Sequence, residues 1–214
     1  NQRIFIKFCG YKNFMYFCWL KHQYAIKNKD IKMKKLLVLI LMSMLSVGVY
    51  AQKEVTKFLG IPVDGTRTSM IQKLRAKGFT VNREKDDILD GKFNGEDVNI
   101  AILTQNDKVW RVLVTDVTIR NEVQVKMRFN ELVRQFENNG NYYEPSNDQS
   151  IPDNENVKDG IKSSNKQYQA FFIQKGTTSD DKRLVWIEIM TNGDGYNIVM
   201  FYENGYNRAD GSEL

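Results

Sequence analysis

Histidine occurs once and cysteine twice in the 214 residues. All three, Cys9, Cys18 and His22, precede residue 23. Residues 52–214 therefore have neither a thiol nor an imidazole. A disulfide framework is excluded there. So are Ser-His-Asp and Cys-His catalysis, which need the missing base or nucleophile. Zinc, copper and haem sites normally rest on Cys or His ligands, so no metal or other cofactor is expected. No glycine cluster opens a helix-like segment, which removes a phosphate loop. Asp, Glu, Lys and Tyr remain as acid–base groups. Proline is also scarce, at three residues, and two of them, Pro145 and Pro152, fall in one polar segment.

What is there begins with "MKKLLVLILMSMLSVGVYAQ", from Met33. Lys34 and Lys35 give a basic start, Leu36 to Leu45 an apolar run broken only by Ser43, and Val49-Tyr50-Ala51 a cleavage site before Gln52. That three-part order is expected to be a secretory signal at 33–51. The run is shorter than the roughly 20 apolar residues of a spanning helix, so no membrane span is expected after cleavage. Residues 1–32 do not begin with Met, and 20 of them are Ile, Lys, Asn, Phe or Tyr, the products of AT-rich codons. We expect them to be a mistranslated upstream segment, with Met33 as the initiator.

Removing both segments changes the charge. The chain carries 31 Lys+Arg against 26 Asp+Glu; nine of those bases and one acid precede residue 52, leaving 22 bases, 25 acids and a net charge of −3. An acidic chain has no electrostatic footprint for nucleic acid, so no such partner is expected.

Residues 52–214 read as one α+β domain with an antiparallel sheet, two αβββ units in tandem. "DGTRTSMIQKLRAKGF" (64–79) is a helix. Thr66 or Thr68 can cap it, or Ser69 with Gln72 in a capping box, and Gly78 stops it. Met70, Ile71 and Leu74 share a face. Asn94-Gly95 signals a type I′ hairpin between strands near 86–93 and 97–104. "QNDK" turns the chain again into "VWRVLVT", where Trp110, Val112 and Val114 are expected to line one face. In "NEVQVKMRFNELVRQFENNG", Val125, Phe129, Leu132, Val133 and Phe136 recur at helical spacing; the first half also alternates like a strand, but its length favours a helix. A polar segment at 138–166 reads as a binding loop, a lid or disorder. "QYQAFFIQ", "RLVWIEIM" and "YNIVMFYE" are three more strands. The last two are apolar on both faces, as central covered strands are.

Carboxylate pairs are the remaining general enzyme chemistry, with Asp86, Asp87, Asp90 and Glu188 as candidates. The first three fall where solvated acids are ordinary. Glu188 lies beside Trp186 on one strand face, either an acid in an aromatic cleft or an ordinary acid on a half-exposed strand. Tyr196, Ile198, Met200 and Tyr202 share a face of the last strand. Tyr and Trp serve interfaces and cores alike. "DNENVKDG" (153–160) fails as a calcium loop, with Lys158 where Gly is needed, and "NGDG" (192–195) reads as a turn.

"FLGIPVDGTRTSMIQKLRAKGF", "GKFNGEDVNIAI", "KVWRVLV" and "YENGYNRADGSEL" resemble a family of small exported proteins of Bacteroidetes. The resemblance implies export and supplies no activity or catalytic residues. "DGTRTSMIQKL" before a meander is also similar to the helix–meander units of the beta-lactamase-inhibitor-protein fold and of a small outer-membrane assembly lipoprotein, whose lipid-carrying cysteine this chain lacks. The expectation is an exported, periplasmic or extracellular, non-enzymatic binding or protein-interaction module for a protein or glycan. The expected surface is a sheet face bearing Trp186 and Tyr202, gated by 138–166, with Glu188 and Tyr196 as further binding residues. The alternatives are a carboxylate-dependent glycan hydrolase and an envelope-assembly helper.

Overall fold

Asn94 and Gly95 both take positive φ, 51° and 81°. A type I′ turn requires that of its two central residues, and its twist matches that of the strands it joins. The strands are β4 (Ile88–Phe93) and β5 (Glu96–Gln105), paired from Phe93↔Glu96 to Ile88↔Ala101. Asn106 and Asp107 repeat the device at φ 48° and 60°, leading into β6 (Lys108–Asp116). The computed structural model describes residues 54–146, 148–177, 182–209 and 211. The expected signal and upstream segments lie outside the described residues.

β6 departs from simple alternation. Val109, Val112 and Val114 are fully buried, and Trp110 is half-buried. A β-bulge is the cause: Leu103 pairs with Arg111 and the next residue, Thr104, with Val109, so Trp110 has no partner on β5. One extra residue changes the parity of the strand. The expected Trp110 core position is thereby corrected; its ring lies 4.1 Å from the Arg111 guanidinium instead.

Both long helices follow local chemistry. In α1 (Arg67–Arg75), Thr66 is the N-cap and accepts from Ser69 N. Gly78, at φ 100°, ends the segment, and Phe79 folds back to donate its N–H to Leu74 O. In α2 (Glu122–Glu137), Asn121 and Gln124 form a reciprocal capping box. Two orphan N–H donors at the helix start are satisfied by it. The five predicted apolar positions of α2 are all buried. Each such side chain contributes about 1.5–3 kcal/mol by leaving water.

The remaining strands complete one eight-stranded sheet. They are β3 (Thr80–Val81), β7 (Tyr142–Tyr143), β8 (Gln169–Gln174), β9 (Leu184–Asn192) and β10 (Gly195–Glu203). The order is β3-β4-β5-β6-β10-β9-β8-β7, with antiparallel pairing throughout. It reads the same from either edge: helix, short edge strand and three-stranded meander, twice. The tandem αβββ expectation is seen here, with the last strands of the two units, β6 and β10, meeting at the centre. A small hairpin of β1 (Lys57–Phe58) and β2 (Ile61–Pro62) precedes α1. No described helix is long and apolar enough to cross a membrane.

The 138–166 segment is more ordered than a plain loop. It contains β7 and a third helix, α3 (Val157–Ser164), capped by Asn156. Side chains tie it down by copying backbone pairing. Asn130 bonds both the N–H and the C=O of Ile151, at 2.8 Å each, and Gln149 does the same to Phe171 on the edge of β8. Lys126 Nζ donates to the carbonyls of Pro152, Asp153 and Glu155. Those three carbonyl oxygens therefore face an ammonium of the chain itself.

Candidate binding site

Strand parity separates the four predicted site residues. Trp186 pairs directly with Phe201, and Tyr202 pairs with Val185. Direct partners share a face and sequence neighbours do not. Trp186 and Glu188 thus lie on the face away from the main core, while Tyr196 and Tyr202 pack in the main core with α2. The expected single surface of Trp186 with Tyr202 is corrected on that ground. Trp186 is 8% exposed and stacks on Phe201, with centroids 4.4 Å apart and planes 3° from parallel. Arg111 lies 4.8 Å from the Trp186 ring and pairs with Glu203 through Nε and Nη2. Glu188 is half-buried, opposite Gln169 and Val199.

Tyr196 is held protonated by burial and by the nearby Glu122 and Asp159 charges. Tyr202 leads to a different place. Its phenol is pushed well above the usual range by complete burial, with Tyr142 adding to the shift. Both tyrosines border a cavity of about 540 Å³. That size suits a small ligand, for which pockets run about 300–1,000 Å³.

The walls come from segments far apart in sequence. Leu132 and Phe136 of α2 and Met200 of β10 give an apolar floor. The β4–β5 turn leans over it, and Asn94 Nδ2 donates to Gln135 Oε1 at 2.6 Å, joining turn to helix. On the opposite wall, Gln174 holds the β1–β2 hairpin: Oε1 accepts from Lys57 N at 2.7 Å, and Nε2 donates to Lys57 O at 3.1 Å. The same Nε2 donates to Tyr142 OH at 3.1 Å. Burial raises the Tyr142 pKa, so its hydroxyl keeps its proton for a further acceptor.

One end of the cavity is charged. Glu54 accepts from Thr177 N and Oγ1 and lies 4.0 Å from Arg183 Nη1. The Thr177 amide, its hydroxyl and the Arg183 and Lys57 charges hold the Glu54 carboxyl below its ordinary value. Arg183, whose side chain is 2% exposed, is fixed by Nε donating to Gln174 O at 2.8 Å. Gly176 makes this packing possible: a Cβ there would overlap Glu54 Oε2 and stand 2.8 Å from Arg183 Cζ.

The acids considered for hydrolysis do not converge. Asp86 and Asp87 are exposed before β4, and Asp90 accepts from Asn82 and Asn99 side chains. Glu188 lies away from the main core. Among the described residues lining the cavity, Glu54 is the single carboxylate. Of the predicted site residues, only Tyr202 reaches the cavity; Glu54, Gln135, Tyr142, Gln174 and Arg183 were not singled out by sequence. No local pattern marks them, because they meet only when the edge of the sheet, α2 and the hairpin come together. Comparison with protein-family models, with curated proteins and with solved structures gave no match.

Proposed function

We propose that the protein is an exported, non-enzymatic binding module whose ligand enters the cavity between α2 and the β1–β2 hairpin. One observation carries this reading. A 540 Å³ space combines aromatic walls with convergent amide and phenol groups, and its described lining holds one carboxylate, already engaged by Thr177. Apolar walls with a few fixed polar groups are the usual makeup of ligand pockets. Protonated phenols and amides orient a ligand without exchanging protons near neutral pH. A hydrolase of the two-acid type needs a second acid about 5–9.5 Å from the first, and the lining described supplies none. Export is supported by the signal-like stretch at 33–51 and would be checked by sequencing the N-terminus of the native protein.

The test uses Gln135, an exposed residue at the cavity mouth. Gln135→Trp adds bulk there without touching the core. Wild type and variant are titrated calorimetrically with a panel of soluble trisaccharides and tripeptides. Binding by wild type that is lost in the variant supports the reading. Equal binding by both, or none by either, would overturn it.

A further inference from the structure

We infer that the ligand of this cavity is an acidic saccharide: a short sugar chain whose carboxylate meets the basic end and whose rings lie against the aromatic and amide end. The inference rests on the binding reading above and adds the chemical class.

Charge sets the first half. Lys57, Lys175 and Arg183 line the cavity, against Glu54 alone among the described acids. Glu54 carries a single charge and lies 4.0 Å from Arg183 Nη1, so it cannot offset both exposed lysines as well. Arg183 is anchored through Nε on Gln174 O, so it is a fixed charge behind the two lysines rather than a flexible surface group. A carboxylate arriving there gains charge-assisted hydrogen bonds, about twice as strong as neutral ones.

Polar chemistry sets the second half. Asn94, Gln135 and Asn139 line the space with Tyr202, and Asn141 and Tyr142 adjoin the basic end through Lys175 and Gln174. A side-chain amide offers a donor and an acceptor side by side. A sugar hydroxyl is both at once, so an amide-rich wall matches a row of hydroxyls. The C–H face of a sugar ring has the apolar surface to lie on Tyr142 or Phe93. A peptide would instead seek an open strand edge for its backbone. Little edge is offered here: β8 is paired on both sides, and the edge strand β7 has two residues, with Tyr142 N already donated to Asn139 O.

The experiment compares trisaccharides of galacturonic, glucuronic and mannuronic acid with their methyl esters, which are uncharged and otherwise alike, and with a carboxylate-bearing tripeptide. Calorimetry is run on wild type, Lys175→Gln and Gln135→Trp at low and high salt. At least one acid should bind wild type about tenfold tighter than its ester, a gap that salt narrows by screening. Lys175→Gln should weaken the acid several-fold and the ester markedly less, and Gln135→Trp should abolish both. An ester that binds as tightly as its acid overturns the acidic class and leaves the cavity standing. So does capture of only a carboxylate-bearing tripeptide, if Gln135→Trp blocks it. Binding that Gln135→Trp leaves intact, or no binding by any probe, overturns the class and the cavity reading together.

Discussion

Gln174 grips Lys57 by both halves of its amide, accepting the Lys57 N–H at 2.7 Å and donating to the Lys57 carbonyl at 3.1 Å. A side chain here does what a neighbouring strand would do. The β1–β2 hairpin has only two residues per strand, too little ladder to hold its own place. Phe58, buried against Phe93 and Tyr202, anchors the hairpin in the core, and Gln174 fixes its backbone at Lys57. Gln174→Leu should speed hydrogen exchange at the Lys57 amide well beyond the global change, at a total cost of about 1–2 kcal/mol for the lost bonds. Unchanged exchange at Lys57 would show that the hairpin is held by other means.

Asp116 is the charged centre of the fold. Its carboxylate is fully buried and accepts from Arg120 at 3.0 Å and Arg128 at 3.3 Å, joining β6 to α2. Arg120 has a second partner in Glu96 at 2.9 Å, whereas Arg128 has Glu131 only at 3.8 Å. Asp116→Ala leaves a buried guanidinium poorly compensated, so denaturant melts should show a loss of about 3–5 kcal/mol. Adding Arg128→Leu should return part of it, since the two residues are coupled. A loss under about 1 kcal/mol in the single variant would contradict this role.

Gly160 sits inside α3, where glycine costs about 1 kcal/mol relative to alanine. Alanine would ordinarily stabilise the helix. Here a Cβ would overlap the Tyr168 hydroxyl, which donates to Glu155 and is buried beneath the helix. Gly160→Ala should therefore destabilise by about 1–3 kcal/mol, as overpacking does. Gly160→Ala combined with Tyr168→Phe should lose less. A stabilised single variant would show that the contact relaxes freely.

Those contrasts show what the sequence makes legible. The Asn94-Gly95 turn, the Thr66 cap and the spacing of Val125 to Phe136 are local chemistry, and each is among the positions expected. The bulge at Trp110 is not local. It depends on how β5 and β6 register, and one inserted residue reverses the parity on which face assignments rest. α3 escaped notice because its glycine and serines make a poor helix by propensity, and the reason for Gly160 is Tyr168, a contact made across the fold. The pairing of Trp186 with Tyr202 failed for the same parity reason. Glu54 and Gln174 are 120 positions apart and meet only in the folded chain, so no window of sequence could have marked the cavity.

The buried phenols give a pH dependence with a definite sign. Tyr202 titrates well above 10.0 in the folded chain because burial penalises its phenolate, and Tyr142 is raised as well. In the unfolded chain a tyrosine loses its proton near 10. Above that pH the folded state holds more protons than the unfolded one, so stability falls as pH rises. Below it the contribution is fully present. Denaturant midpoints should decline above about pH 10, and less steeply in Tyr202→Phe, which keeps the ring 4.8 Å from Phe58. Equal slopes in both proteins would contradict a protonated, buried Tyr202.

The most direct measurement for the cavity is amide chemical-shift mapping during titration with the galacturonic, glucuronic and mannuronic acid trisaccharides. Shifts should cluster on Asn94, Gln135, Tyr142, Gln174 and Lys175, and leave Trp186, Glu188 and Phe171 on the other face still. Shifts centred on Trp186 and its neighbours, with the cavity residues unmoved, would contradict the assignment of the binding site.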